Sequence, residues 1–375
     1  MDRSPSSWAH ILWRYPAVSV AMMALGSLAI AFIGVRGGGQ TAPGVLDGLP
    51  FFDMWIRWDA GWYRQIAEDG YTYSPSAQSS AAFFPVYPLA IRLVMRVTGL
   101  PVFIAGIVTT WVFGFTCCLT FFAWAKGRAG PVVASRALWL LMAWPFSFFL
   151  FGAMYGDAAF LVFMSCAFLF LERDRPWLSL GFGVLATATR PLAPAVVLGL
   201  LVRSLERRRR AGAPLRPIDF LPLAAVLGLL GYMVFLHREF GDAFGFATTQ
   251  KGWSQLSGLA SVLKVEALSK FKPADLVFPL IHAVLAGLCL VLGWRLRRTL
   301  GLGYAVYVLV VVGIPLISSR DFIGLGRYAL AAFPVFLELD GWLGQRPGAR
   351  TMWFVASALL LGWMTVRFAM AFYVS

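Results

Sequence analysis

Residues 16–35 read PAVSVAMMALGSLAIAFIGV, a run without one charged side chain. A helix needs roughly 20 predominantly apolar residues to cross the hydrocarbon of a bilayer, and this run supplies them. Trp353 to Thr365 is a second stretch of the same character. The rest of the chain agrees with these two. Of 375 residues, 59% are apolar, 15% aromatic and 13% charged, whereas a soluble domain carries about 25% charged residues. The mean hydropathy is +0.73. These values exclude an ordinary soluble domain and predict an all-α polytopic membrane protein.

The net charge of +14 comes from 32 basic and 18 acidic residues. The basic residues stand in short runs between apolar segments, which is topology information and not a groove for nucleic acid. Arg3 and Arg14 precede the first apolar run with no small-residue cleavage site behind it, so the run reads as a retained span. Further spans are expected at 101–124, 137–153, 158–171, 177–189, 191–202, 218–236, 275–293, 300–317, 329–343 and 352–371, about 11 in all. The pair 177–189 and 191–202 is too short to cross twice and reads as two short helices meeting at depth around Thr189-Arg190-Pro191. With the N-terminus inside, basic residues gather on the cytoplasmic side along the whole chain. Residues 83–98 hold two prolines and two arginines and read as an interfacial or re-entrant element.

Five further readings bound the class. The run Arg207–Arg210, inside the basic loop 203–217, is a topology determinant that also attracts anionic lipid. Cys117, Cys118, Cys166 and Cys289 lie in apolar segments and read as packing. His10, His237 and His282 have no metal-ligand spacing. The bias of 27 Arg to 5 Lys, with no Asn, points to a high-GC bacterial genome. No internal repeat is visible, which argues against an inverted-repeat transporter.

On this topology, polar chemistry collects at four outer stations. The first is the loop 36–82, with WIRWDAGWY at 55–63. Trp55, Trp58 and Trp62 recur at helical spacing and predict one aromatic stripe lying flat at the membrane surface. Asp59 follows that stripe, where partial desolvation would raise its pKa toward the range of a general base. The alternatives are a helix cap or a pair with Arg57. The second station is Tyr155-Gly156-Asp157, where Asp157 is either a functional acid in an apolar setting or an N-cap. The third is Arg190, suited to a phosphate or a carboxylate, or snorkelling to the interface. The fourth joins the loop 237–274, with Asp242 and Lys251, to 318–328, where Arg320 lies and Arg327 opens an apolar helix whose N-terminus would favour an anion. Lys251 and Arg320 read first as solvated charges. On the inner side, Glu338 and Asp340 are expected to pair with Arg346 or Arg350.

The segment RWDAGWYRQIAEDGY (57–71), followed by AAFFPVYPLAIRL (81–93), resembles the first luminal loop of the PIG-V family of mannosyltransferases, integral-membrane enzymes of the GT-C fold. The resemblance continues through GVLATATRPLAP (183–194), REFGDAFGFATTQKGW (238–253) and GLGRYALAAFPVFLEL (324–339), covering most of residues 50–340 in order. It implies transfer of mannose from a polyprenyl-phosphate carrier to an acceptor hydroxyl on the non-cytoplasmic face. The essential Trp-Asp pair of that family maps onto Trp58 and Asp59. Where family members often carry Ser or Thr followed by Glu, this chain has Gly156-Asp157, an acid one methylene shorter. Eukaryotic members act on a glycosylphosphatidylinositol precursor, an acceptor that a bacterial chain would not share.

A sugar on a lipid phosphate has a good leaving group already. The reaction therefore needs one base, cations for the phosphate and a groove for the prenyl chain. Asp59 is the expected base, with direct displacement inverting the anomeric centre. Arg327 is the first choice for the phosphate, then Arg190, then Lys251. Trp58, Trp62, Tyr63 and Tyr71 are expected to stack on sugar or anchor the loop. The expected partners are a polyprenyl-phosphate sugar, a glycan or glycolipid acceptor, membrane lipid and, as in some relatives, a small membrane subunit. No cofactor is implied, although Asp59 and Asp157 are the carboxylates a divalent metal would use. The rival readings are another polyprenyl-phosphate sugar on the same fold, or a lipid-linked sugar flippase.

Overall fold

The computed structural model describes residues 9–39, 49–75, 77–253, 264, 277–319, 321–344 and 346–374. Arg320, and residues 254–263 and 265–274 of the expected outer loop, lie outside these. The chain divides into two compact units. One comprises residues 1–70, 86–165 and 339–374, and the other 71–85 and 166–338.

The first unit is built on α1 (Ala9–Ile33), α5 (Val102–Met142) and α16 (Pro347–Ala369), each long and apolar enough to cross a membrane. α1 packs on α16 and on α5. Gly130 has φ 80 and ψ 168, so α5 is two helices meeting at Gly130-Pro131. Proline disfavours the helical conformation of the residue before it, and glycine takes a positive φ without strain. The expected span 137–153 is broken for a related reason. The helix ends at Met142, and a turn through Pro145 leads to the short α6 (Phe148–Phe151). Between the long helices lie α2 (Pro50–Asp53), α3 (Ala60–Glu68) and α4 (Val86–Thr98). At 13 residues α4 is too short to span. It packs on α3 and α5 and leaves Leu89, Leu93 and Val97 exposed along one ridge, as an interfacial helix would. α7 (Asp157–Glu172) begins in this unit.

The second unit holds α8 (Pro176–Thr187) and α9 (Ala193–Arg210), the expected short pair. α9 is longer than read from sequence, because the arginine run continues the helix. Arginine is a good helix former, and cations favour a helix C-terminus. The first half of the expected loop 203–217 is thus helical. Arg203 is buried there between Glu172 and Glu206, at 2.6 and 2.8 Å, and the Tyr304 hydroxyl donates to Glu172. A 3₁₀ segment (Pro217–Val226) leads into α10 (Leu227–Phe240), then the short α11 (Gly245–Thr248), α12 (Val277–Thr299) and α13 (Leu302–Ser318). α13 packs on α9 and α12. The expected span 329–343 is α14 (Leu325–Ala331) and α15 (Val335–Leu343), split at Pro334. Glu338 pairs with Arg295 at 2.9 Å, not with Arg346 or Arg350. In the first unit Asp340 pairs with Arg136 at 2.9 Å and with Arg350 at 3.6 Å.

Five helices among the described residues reach spanning length and apolarity. The expected spans 137–153 and 329–343 fall short of that length because of the proline breaks just described.

Candidate functional site

The expected stripe of Trp55, Trp58 and Trp62 does not form on one helix, because the backbone reverses between α2 and α3. Trp58 has φ 53, the left-handed region that a bulky residue rarely takes. Trp55 is buried against Gly152, where an added Cβ would stand 2.7 Å from the indole. Trp62 lies one turn into α3, half-buried. The three tryptophans therefore face three surroundings.

Arg57 is 2% exposed and does not pair with Asp59. Its guanidinium donates to the Asp53 carboxylate at 2.8 Å and to the carbonyls of Asp53, Ile56 and Ala369. Asp59 occupies the N-cap position of α3, yet its carboxylate makes no cap hydrogen bond to the helix. Both structural readings of Asp59 are thus set aside. Its backbone is fixed instead: the Asp59 N–H donates to the Tyr155 hydroxyl at 3.2 Å, and that hydroxyl donates to the Arg57 carbonyl at 3.4 Å.

These bonds lace the Asp59 turn to the loop 152–157. The Met154 N–H also donates to the Trp55 carbonyl at 3.2 Å. The first unit thereby brings Asp59, Tyr63 and Asp157 to one corner. Asp157 is 2% exposed and is the first residue inside α7; the cap carbonyl is that of Gly156, which accepts from Phe160. Around it the Tyr63 ring meets Tyr87 edge-on at 4.9 Å and Tyr155 at 6.3 Å. The Tyr87 hydroxyl shares a 2.6 Å hydrogen bond with Thr110 and lies within electrostatic range of Tyr63 and Asp157. Tyr87 reads in the sequence as one more apolar aromatic, and Tyr155, though part of the second station, gives no local sign that its hydroxyl meets the Asp59 amide. No group of three or more His, Cys, Asp or Glu that could hold a metal ion forms among the described residues.

In the second unit Arg190 is buried in the turn between α8 and α9, its guanidinium 4.6 Å from the centre of the Tyr328 ring. Arg190 is thus brought beside the turn that carries Arg327. The expected helix N-terminus at Arg327 is not an anion site. α14 has seven residues, and its first amides are already used. The Gly326 N–H donates to His282 Nδ1 at 3.1 Å, and Leu325, Arg327 and Tyr328 donate to Phe322 and Gly324 carbonyls. His282 is thus a helix cap reaching across 44 residues, a role no local spacing could signal. Lys251 is exposed in a 3₁₀ turn.

Asp242, in the same unit, accepts three hydrogen bonds: from the Tyr73 hydroxyl at 2.5 Å, the Thr248 hydroxyl at 2.9 Å and the Phe244 N–H at 2.8 Å. The Tyr73 hydrogen bond is the main cause holding the Asp242 carboxyl below its usual range, and it raises Tyr73 in turn. Beside this clasp Tyr232 donates to the Ala81 and Phe83 carbonyls, and Phe83 meets Trp253 at 6.0 Å. The segments 71–75, 77–85 and 238–253 are therefore packed together.

No protein-family model matches the chain, and no curated protein matches it. Its fold is similar to that of ArnT from Cupriavidus metallidurans, whose crystal structure contains undecaprenyl phosphate. The TM-score is 0.52 at 14% identity, over 97% of this chain and 77% of that one. The fold is of the GT-C type. The oligosaccharyltransferase of Archaeoglobus fulgidus in its apo form gives a TM-score of 0.49 at 13% identity, over 98% of this chain and 57% of that one, and the fold comparison rests on ArnT. The protein is a multi-pass, all-α membrane protein of this fold.

Proposed function

We propose that this chain is a membrane glycosyltransferase that moves mannose from polyprenyl-phosphate mannose to an acceptor hydroxyl on the non-cytoplasmic face, with Asp59 as general base. One observation carries the reading. Asp59 stands at the start of α3 on a backbone held from both sides, by the Trp58 turn and by Tyr155. The likeness in fold to a protein crystallised with undecaprenyl phosphate supports a polyprenyl-phosphate donor. The PIG-V-like motifs support mannose, and the high-GC composition supports a bacterial inner membrane.

The chemistry is a single displacement. The acceptor oxygen bonds to C1 of the sugar as the C1–O bond to phosphate breaks. The electron pair leaves on the polyprenyl phosphate, and the hydroxyl proton passes to Asp59, inverting the anomeric centre. Asp157 and Tyr63 would orient hydroxyls. Arg327, with Arg190 behind Tyr328, would take the phosphate by side-chain charge alone.

The test is transfer of radiolabelled mannose from synthetic polyprenyl-phosphate mannose by purified protein, with bacterial membrane extract as the acceptor pool and Asp59→Asn as control. Label in a new product from wild type only supports the reaction and the base together. Donor bound without transfer points to a missing acceptor or partner subunit. Absence of donor binding overturns the reading in favour of another sugar or a flippase.

A further inference from the structure

Trp58 precedes the proposed base and holds a strained backbone conformation, which persists only where the surrounding structure imposes it. Those surroundings come from two segments far away in sequence. The Trp58 N–H donates to the Gly39 carbonyl at 2.9 Å. Its indole Nε1–H donates to the Phe372 carbonyl at 3.1 Å, and its ring meets the Tyr373 ring edge-on at 5.0 Å and 71°. Arg57 next to it donates to the Ala369 carbonyl at 3.0 Å.

The two supporting segments are also joined to each other. The amides of Arg36 and Gly37 donate to the Met370 carbonyl, and that of Gly39 to the Ala371 carbonyl. A Cβ at Gly39 would stand 2.1 Å from the Trp58 ring, and one at Gly37 2.0 Å from the Ala371 carbonyl oxygen. Glycine is thus required at both places for contact, and the indole is enclosed on its Gly39 side.

We propose that Trp58 is a positioning residue and that residues 369–373 complete the catalytic loop by clamping it, so that Asp59 is aimed from the far end of the chain. The proposal deepens the reading above and rests on Asp59 being the base. Misplacing a catalytic group by about 1 Å can cost up to ~100-fold in rate, and that loss falls on turnover, not on donor binding.

The experiment compares Trp58→Phe, which removes the indole donor, with Tyr373→Ala, Tyr373→Phe and Gly39→Ala in the purified full chain. Tyr373 is half exposed, so its truncation leaves the fold in place. Expected are kcat losses of about 10-fold for Tyr373→Ala and Trp58→Phe and about 100-fold for Gly39→Ala, with KM for polyprenyl-phosphate mannose within about twofold of wild type. Tyr373→Phe should recover most of the loss. A raised KM at unchanged kcat would mean that the indole touches the sugar, and wild-type turnover in Tyr373→Ala would remove the clamp. Hydrogen exchange of residues 56–62 gives a readout independent of activity. Tyr373→Ala should speed it, and unchanged exchange overturns the clamp whatever the kinetics. If Asp59→Asn keeps turnover the base reading fails separately, and exchange still decides the clamp.

Discussion

Asp242 and Asp59 each lie in a polar loop just before a short helix, and the protein treats them in opposite ways. Asp242 is clasped through its side chain by a tyrosine, a threonine and a backbone amide. Asp59 is gripped through its backbone, by Tyr155 and by the strained residue before it, while its carboxylate takes no part in capping α3. A carboxylate that accepts three protein hydrogen bonds has its geometry committed to the fold. Asp59 is located through its main chain, by the Tyr155 hydroxyl and the Trp58 turn. The difference is between an aspartate tied into its loop by its side chain and one placed by its backbone.

The comparison breaks most readily at Asp59. Asp59→Asn should leave folding and donor binding intact and lower transfer by about 10³-fold, within the range general bases contribute; retained turnover in the mannose assay would end the contrast. Next in size is Arg57→Ala. It removes a buried cation from Asp53 and from three carbonyls and should cost about 3 kcal/mol of stability, seen as a lower thermal midpoint in detergent. Arg327→Ala should weaken donor binding by about 10-fold with little change in that midpoint. Unchanged affinity would move the phosphate role to Arg190.

Asp242→Asn should cost about 1 kcal/mol and leave donor affinity near wild type. Because Tyr73 holds the folded Asp242 pKa below its unfolded value, the clasp stabilises fully above the ordinary carboxylate pKa near ~3.9. It is lost as pH falls through the lower folded value. The thermal midpoints of wild type and Asp242→Asn should therefore stay apart at neutral pH and converge only in strong acid. Lys251→Ala, at an exposed position, should change transfer by less than about twofold.

The all-α membrane class was legible because apolar runs such as 16–35 report their solvent directly. The short helix pair around Arg190 was legible because Pro191 and the run lengths leave little choice. The interruptions at Gly130-Pro131 and Pro334 were written in the sequence too, but hydropathy averages over them. Asp59 could be found because a carboxylate among tryptophans is chemically conspicuous. Its supports could not. Tyr155 and Phe372 reach Asp59 and Trp58 by hydrogen bonds across 96 and 314 residues, Tyr373 meets Trp58 ring to ring, and no local period encodes such contacts. The N-terminal anion site at Arg327 failed for the same reason, since its cap is His282 from another helix.

α3 is tied at both ends. Its first turn is bound through Asp59 to Tyr155. At its other end Arg92 of α4 donates to the Ile66 and Ala67 carbonyls at 2.7 and 2.8 Å, a cation at the negative pole of the helix. A nine-residue rod pinned at both ends cannot swing. With Asp59 as the proposed base, an acceptor would have to come to the start of α3, because the helix is held in place at both ends.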